Sequence, residues 1–172
     1  DHYGAQFIAN VDSGFKAYFD PATNTNTGTA AEALAQFDGK KPCWTDPLSV
    51  SGYIIPFGFL NNAGIKTQAG AFVQGHPTVV TALYKGGICD FGATYIDART
   101  NKALNEQYSD IQEKVVVIWR TDPVIPNDNV SFAASLPDDV VTKFKDAMVE
   151  LASTDEGREL LKAGGYDVEG LK

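Results

Sequence analysis

Two cysteines, one methionine and no long apolar run set the first limits on this 172-residue chain. Cys43 and Cys89 stand far apart, with no CxxC or Cys/His ligand spacing, so nothing in the sequence builds a zinc site. The single methionine is Met148. Asp1 is therefore not a translation start, and the chain is expected to be a processed or partial product. No stretch approaches the ~20 apolar residues of a membrane helix. No amino-terminal segment has the layout of a signal peptide, which leaves secretion open. No GxxxxGK[ST] loop occurs, which removes the Walker-type phosphate cradle. Clusters of Lys and Arg are missing too. With a net charge of −8, nucleic acid and anionic membrane surfaces are poor partners. A small anion is not excluded, because a helix amino terminus and neutral donors can hold one.

What is present reads as one α/β domain with a real core, at 44% hydrophobic and 21% charged residues. Residues 6–10 form a short strand, followed by a turn at Asp12-Ser13-Gly14. The polar stretch Asn24 to Gly28 reads as an exposed loop. Thr29-Ala30-Ala31-Glu32 is a capping box that opens a helix to Phe37. Lys41 to Thr45 is a strand, and after the loop 46–52 a buried helix runs from Tyr53 to Leu60, with Pro56 near its first turn. Ala71 to Val73 is a strand. A helix with Pro77 in its first turn then ends at Gly86-Gly87. Ile88 to Tyr95 is a strand, Asp97 to Gln107 a helix, and Val115 to Trp119 a β-branched strand. Ser135 caps a helix carrying the stripe Val140, Val141, Phe144, Met148 and Leu151. Thr154 caps a last helix that ends at Gly164-Gly165. Strands alternating with helices imply a mostly parallel sheet, with ligands beyond the carboxyl ends of its strands. Cys43 and Cys89 both fall near strand beginnings. Two neighbouring parallel strands could join them as a disulfide, and two buried thiols acting as small hydrophobes is the other reading.

Three loops at strand ends, 46–52, 74–78 and 94–98, carry most of the candidate chemistry, with Asp128 in a separate segment after the β-branched strand. In Asp46 to Gly52, Ser49 and Ser51 offer hydroxyls, and Gly52 lets backbone N–H groups approach a ligand at a helix start. The same loop also reads as a plain serine N-cap. His76, between a strand and a helix, can donate to an oxyanion or hold a structural hydrogen bond. Asp97 and Asp128 can accept from a protonated oxyanion or a ligand amine. Both also suit helix caps and turns.

Taken in order, Asp46-Pro47-Leu48-Ser49-Val50-Ser51-Gly52-Tyr53, Gly75-His76, Asp90-Phe91-Gly92-Ala93-Thr94-Tyr95 and Ile125-Pro126-Asn127-Asp128 resemble the phosphate/phosphite/phosphonate substrate-binding proteins of ABC importers. That family has the type 2 periplasmic-binding fold. The likeness runs over essentially the whole chain. It implies an α/β lobe that grips a small phosphorus oxyanion (phosphonate, phosphite or phosphate) with Ser49, Val50, Ser51 and Gly52. His76 stands where the family histidine does, and Asp128 where its acid does. Tyr95 and Asp97 match the cleft-lining segment. Val50 departs from the family's usual hydroxyl and keeps only its backbone N–H.

The resemblance also implies an organisation. Residues 1–10 would be a first hinge strand, 11–112 the ligand-binding lobe, 113–128 a second hinge strand with its loop, and 129–172 carboxy-terminal helices packing toward an absent amino-terminal lobe or companion chain. The implied partners are the oxyanion and an ABC permease. No cofactor or metal is implied. The implied place is periplasmic or extracytoplasmic, with lipid anchoring through a missing amino terminus left open. A ligand sensor of the same fold, including an arsenite sensor using Cys43 and Cys89, is the alternative. An enzyme is not expected, since only His76 could act as a base and no nucleophile pairs with it.

Overall fold

The computed structural model of the chain describes residues 2–127 and 129–163. Its strands are β1 (His2–Tyr3), β2 (Ala5–Asn10), β3 (Phe19–Asp20), β4 (Thr25–Asn26), β5 (Pro42–Trp44), β6 (Ala71–Phe72), β7 (Phe91–Tyr95), β8 (Val115–Arg120) and β9 (Ile125–Pro126). Its α-helices are α1 (Ala30–Leu34), α2 (Ile55–Asn62), α3 (His76–Lys85), α4 (Lys102–Gln107), α5 (Ile111–Lys114), α6 (Asp138–Ser153) and α7 (Asp155–Ala163). The chain forms two compact units, residues 1–127 and 128–172.

The first unit is built on a five-stranded sheet of order β6-β5-β7-β2-β8. β5 pairs parallel with both β6 and β7, while β2 runs antiparallel to β7 and β8. Four strands therefore point one way and only β2, between β7 and the edge strand β8, points the other, which is the mixed but mostly parallel α/β sheet the sequence implies. β2 is buried on both faces, as its apolar run requires. Ile8, Cys43, Val79, Leu83, Ala98, Ile111 and Val117 fill one side of the sheet. Phe7, Leu34, Phe37, Trp44, Leu60, Phe91 and Trp119 fill the other, where Phe37 stacks on Phe91 at 4.0 Å between ring centres. A register shift between Phe7 and Ile8 sends Ile118 and Trp119 of β8 to the same face.

Several elements differ from the sequence reading for local reasons. The polar stretch 24–28 is not a plain loop: β3 and β4 form a hairpin, and Asn24, with φ of 55°, turns it. The capping box forms as expected, with Thr29 and Glu32 bonded both ways. The strand read from Ile88 begins at Phe91, after Gly86 and Gly87, both at positive φ. The helix read over 97–107 splits into a 3-10 turn at Ala98–Thr100 and α4, because Asn101 recaps the chain by accepting from the Leu104 N–H.

In the second unit α6 packs against α7. Pro137, not Ser135, precedes α6 and provides no side-chain cap. Thr154 does cap α7, its Oγ1 accepting from the Gly157 N–H at 3.0 Å. The stop at Gly164-Gly165 lies outside the described residues. No helix among the described residues is long and apolar enough to cross a membrane.

Cys43, in β5, and Cys89, just before β7, form a disulfide with their Cα atoms 5.6 Å apart. Of the two readings left open by the sequence, this is the bridged one.

Candidate functional site

The carboxyl ends of β5, β6 and β7 converge on one edge of the sheet, and the loops leaving them hold most of the candidate residues. The loop after β5 starts with an Asx turn, Asp46 Oδ1 accepting from the Leu48 N–H at 2.9 Å. Ser49 then caps a helix that starts at Val50, three residues earlier than the expected Tyr53. Its first turn, Val50–Ile54, is π-helical and continues directly into α2. Pro56 explains this start. It has no N–H to return to the Gly52 carbonyl, so that carbonyl accepts from Thr45 instead, at 3.4 Å. The exchange ties the strand end to the helix start.

Ser49 Oγ accepts from the Gly52 N–H at 3.1 Å, and Ser49 O accepts from both Tyr53 and Ile54. The N–H groups of Val50 and Ser51 have no backbone partner among the described residues, and the Ser51 hydroxyl, not itself a fully buried atom, makes no hydrogen bond there either. Two open N–H groups, a hydroxyl and a helix dipole behind them favour a compact anion. Gly52 is required by contact: a Cβ there would strike Thr45 and stand 2.8 Å from Ser49 Oγ.

His76 opens α3 from the loop after β6, with Gly75 at φ of 100° before it. Its Nδ1 accepts from the Tyr95 backbone N–H at 3.2 Å, and the two rings meet edge to face. An Nδ1 that accepts leaves the proton on Nε2, so Nε2–H is the free donor of a neutral ring. Burial pushes the His76 pKa down to about 4, against the pull of the Asp46 carboxylate. Burial also raises the Tyr95 phenol, helped by the charge of Asp97. The depressed histidine makes a prediction about stability. Above the ordinary value of 6.5 the ring is neutral whether folded or not. As pH falls from there toward about 4, the unfolded chain takes a proton that the folded one refuses, so stability drops and then levels off. Urea titrations across this range should show His76→Gln losing less stability than wild type, by up to one proton's dependence.

Asp97 does not join these residues. Its carboxylate accepts from Arg99 Nη2 at 2.6 Å, Arg120 Nη2 at 2.7 Å and Gln6 Nε2 at 2.8 Å. Burial works to raise its pKa, but the hydrogen bonds from Arg99 and Gln6 outweigh that and hold it low. A carboxylate saturated in this way has no lone pair left for a ligand donor, so the structure gives Asp97 a place in a buried charge cluster. Asp128 lies outside the described residues. Val50, Ile54 and Phe57 form an exposed apolar stripe beside the helix start, with Leu48 and Phe72 near it in sequence and packing.

The charge cluster and Thr45 are the features that sequence reading missed. Arg120, a charged end to a β-branched strand, was the available signal for the first. Thr45, the polar residue ending the strand before the serine loop, was the signal for the second. Among the described residues no group of His, Cys, Asp and Glu is placed to hold a metal ion.

Solved structures share this architecture. A binding-protein component of an ABC phosphonate transporter from Pseudomonas aeruginosa matches 96% of this chain at 19% identity and a TM-score of 0.70, over 51% of its own chain. A Prochlorococcus marinus protein solved with methylphosphonate matches 96% at 13% identity and 0.71, over 60% of its chain. A Xanthomonas citri protein bound to chloride ion matches 98% at 18% identity and 0.69, over 58% of its chain. This chain thus spans between half and three-fifths of each of these proteins. No curated protein sequence matches it. The model of the periplasmic substrate-binding proteins of phosphonate ABC transporters matches residues 1–170, and the chain belongs to that family.

Proposed function

We propose that this chain is the ligand-gripping lobe of a solute-binding protein that captures a small phosphorus oxyanion for an ABC importer. The observation that carries the reading is the open helix start at Ser49 to Gly52, with uncommitted donors at Val50 N–H, Ser51 N–H and the Ser51 hydroxyl. The Ser49 proton and His76 Nε2–H complete the donor set. A neutral His76 supplies a hydrogen bond without needing a proton from solvent, and Tyr95 orients it through its backbone. Asp128 is proposed to accept from a protonated ligand oxygen or a ligand amine. Phosphonate is favoured by the family and by the methylphosphonate held by the Prochlorococcus marinus protein. Phosphate and phosphite present the same oxygens to the same donors.

The apolar stripe Val50, Ile54 and Phe57 suits a face covered by a second lobe outside residues 1–172, closing on β2 and β8 as hinge strands. Residues 129–172 are proposed to serve that lobe. The disulfide and the family fit a periplasmic or other extracytoplasmic place, with a membrane permease as partner. Lipid anchoring through an upstream segment remains part of the proposal. A sensor reading that relies on thiols finds no support, since both cysteines are bridged.

Calorimetry on the full gene product with methylphosphonate, 2-aminoethylphosphonate, phosphite and phosphate tests this. At least one should bind tightly, and Ser51→Ala should weaken it at least about tenfold, the loss expected for a hydrogen bond to a charged group. Residues 1–172 alone should bind weakly. Binding of none by the full product would sink the ligand class.

A further inference from the structure

Thr45 follows β5 directly, and its backbone is fully engaged. Its N–H donates to the Gly52 carbonyl, and its own carbonyl accepts from Gln74 at 2.7 Å. Its side chain is not engaged. Thr45 is 1% exposed, and its Oγ1 is the one buried side-chain polar atom among the described residues with no hydrogen-bond partner. Buried hydroxyls almost always find a partner, so an orphan at a ligand site points to a partner that comes with the ligand.

The direction of this hydroxyl is known from Gly52. A Cβ on Gly52 would collide with Thr45 Oγ1 and Cγ2 and lie 2.8 Å from Ser49 Oγ. The Thr45 and Ser49 hydroxyls therefore flank the same face of Gly52, at the helix start. Ser49 Oγ accepts from the Gly52 N–H. A serine oxygen has two acceptor sites and one proton. One acceptor site and the proton of Ser49 are thus uncommitted.

Resting on the oxyanion reading above, we infer that Thr45 is a positioning residue of the grip: its O–H donates to Ser49 Oγ when Ser49 turns its own proton to the bound oxyanion. The two bonds run in one direction, Thr45 to Ser49 to ligand, and each polarises the next. No bond is made or broken; a hydroxyl rotation and a small shift of the serine suffice. Gly52 is the residue that lets two hydroxyls meet at this point. Val50, which offers no hydroxyl of its own, makes the help from Thr45 more important.

Thr45→Val removes the hydroxyl and keeps the shape, while Thr45→Ser keeps the hydroxyl. Both variants of the full gene product are measured by calorimetry with methylphosphonate, phosphite and phosphate, and by thermal unfolding without ligand. Thr45→Val should keep or raise Tm, since it replaces an unpaired buried hydroxyl by a methyl group. Its affinity for the bound oxyanion should fall about tenfold. Thr45→Ser should bind like wild type. Wild-type affinity in Thr45→Val overturns the inference alone. So does a joint loss of Tm and affinity, or a Thr45→Ser as weak as Thr45→Val. A wild type that binds none of the three probes overturns the oxyanion reading, and this inference with it.

Discussion

Asp97→Ala should cost about 3–5 kcal/mol of folding free energy, the range for removing one member of a buried ion pair. Asp97, Arg99 and Arg120 expose only 13%, 11% and 14% of their side chains, so water screens the cluster weakly. One carboxylate serves two guanidinium groups. Removing it leaves two buried positive charges facing each other, with Gln6, Asn24, the Val115 carbonyl and the Phe19 ring, none of them charged, to receive them. That is why Asp97→Ala should be far worse than Arg120→Met, which leaves the Asp97–Arg99 pair intact. Urea unfolding measures both. A loss below about 1 kcal/mol for Asp97→Ala, the size of an exposed pair, would contradict the buried cluster. The effect matters to the site as well. Asp97 follows Tyr95, Gln6 lies in β2 and Arg120 ends β8, so the cluster clamps the strand ends that carry Tyr95 and, through it, His76.

The cluster also shows where sequence reading stops. Asp97 was legible as an acid after a strand, beside residues that match a cleft. Its partners were not, because Arg120 is 23 positions away and Gln6 is 91. Only the pairing of β2 with β7 and β8 brings them together. Features fixed within a few residues were readable: the Thr29–Glu32 capping box, Ser49 as a cap, Pro77 in a first helical turn, Thr154 before α7. The strand–helix alternation was readable for the same reason, since apolar periodicity is local. The early start of the helix at Val50 was not. It depends on the Gly52 carbonyl finding Thr45 across a loop, a tertiary bond that outweighs the expected first turn at Tyr53. Ser135 failed as a cap because Pro137 took the position before α6. The serine loop and His76 were legible as separate motifs, but their meeting at one sheet edge needed the parallel β5–β6 and β5–β7 pairs.

Removing the Cys43–Cys89 bridge should destabilise the protein by about 4 kcal/mol, from the entropy its 46-residue separation withholds from the unfolded chain. Against a typical total of roughly 5–15 kcal/mol this is a large fraction. For a chain of this size it corresponds to a fall in Tm of roughly 8–16 °C. Cys43→Ala/Cys89→Ala is the cleaner variant, because Cys43 is fully buried and a serine there would bury an unpaired hydroxyl. Reduction of the wild type should act the same way. Ligand affinity should not follow. The bridge joins β5 to the chain entering β7, while Ser49 to Gly52 and His76 lie beyond the carboxyl ends of β5 and β6 and Tyr95 is the last residue of β7. Between the two, the Cys43–Gly92 pairing and the packing of Trp44 and Phe37 on Phe91 hold the strands in register without the bridge. A double variant that melts early yet binds like wild type while folded marks the disulfide as a staple on the unfolded chain. An affinity that falls in step with stability would instead mean that the loss of the bridge reaches the grip, and the separation of staple from site would have to be abandoned.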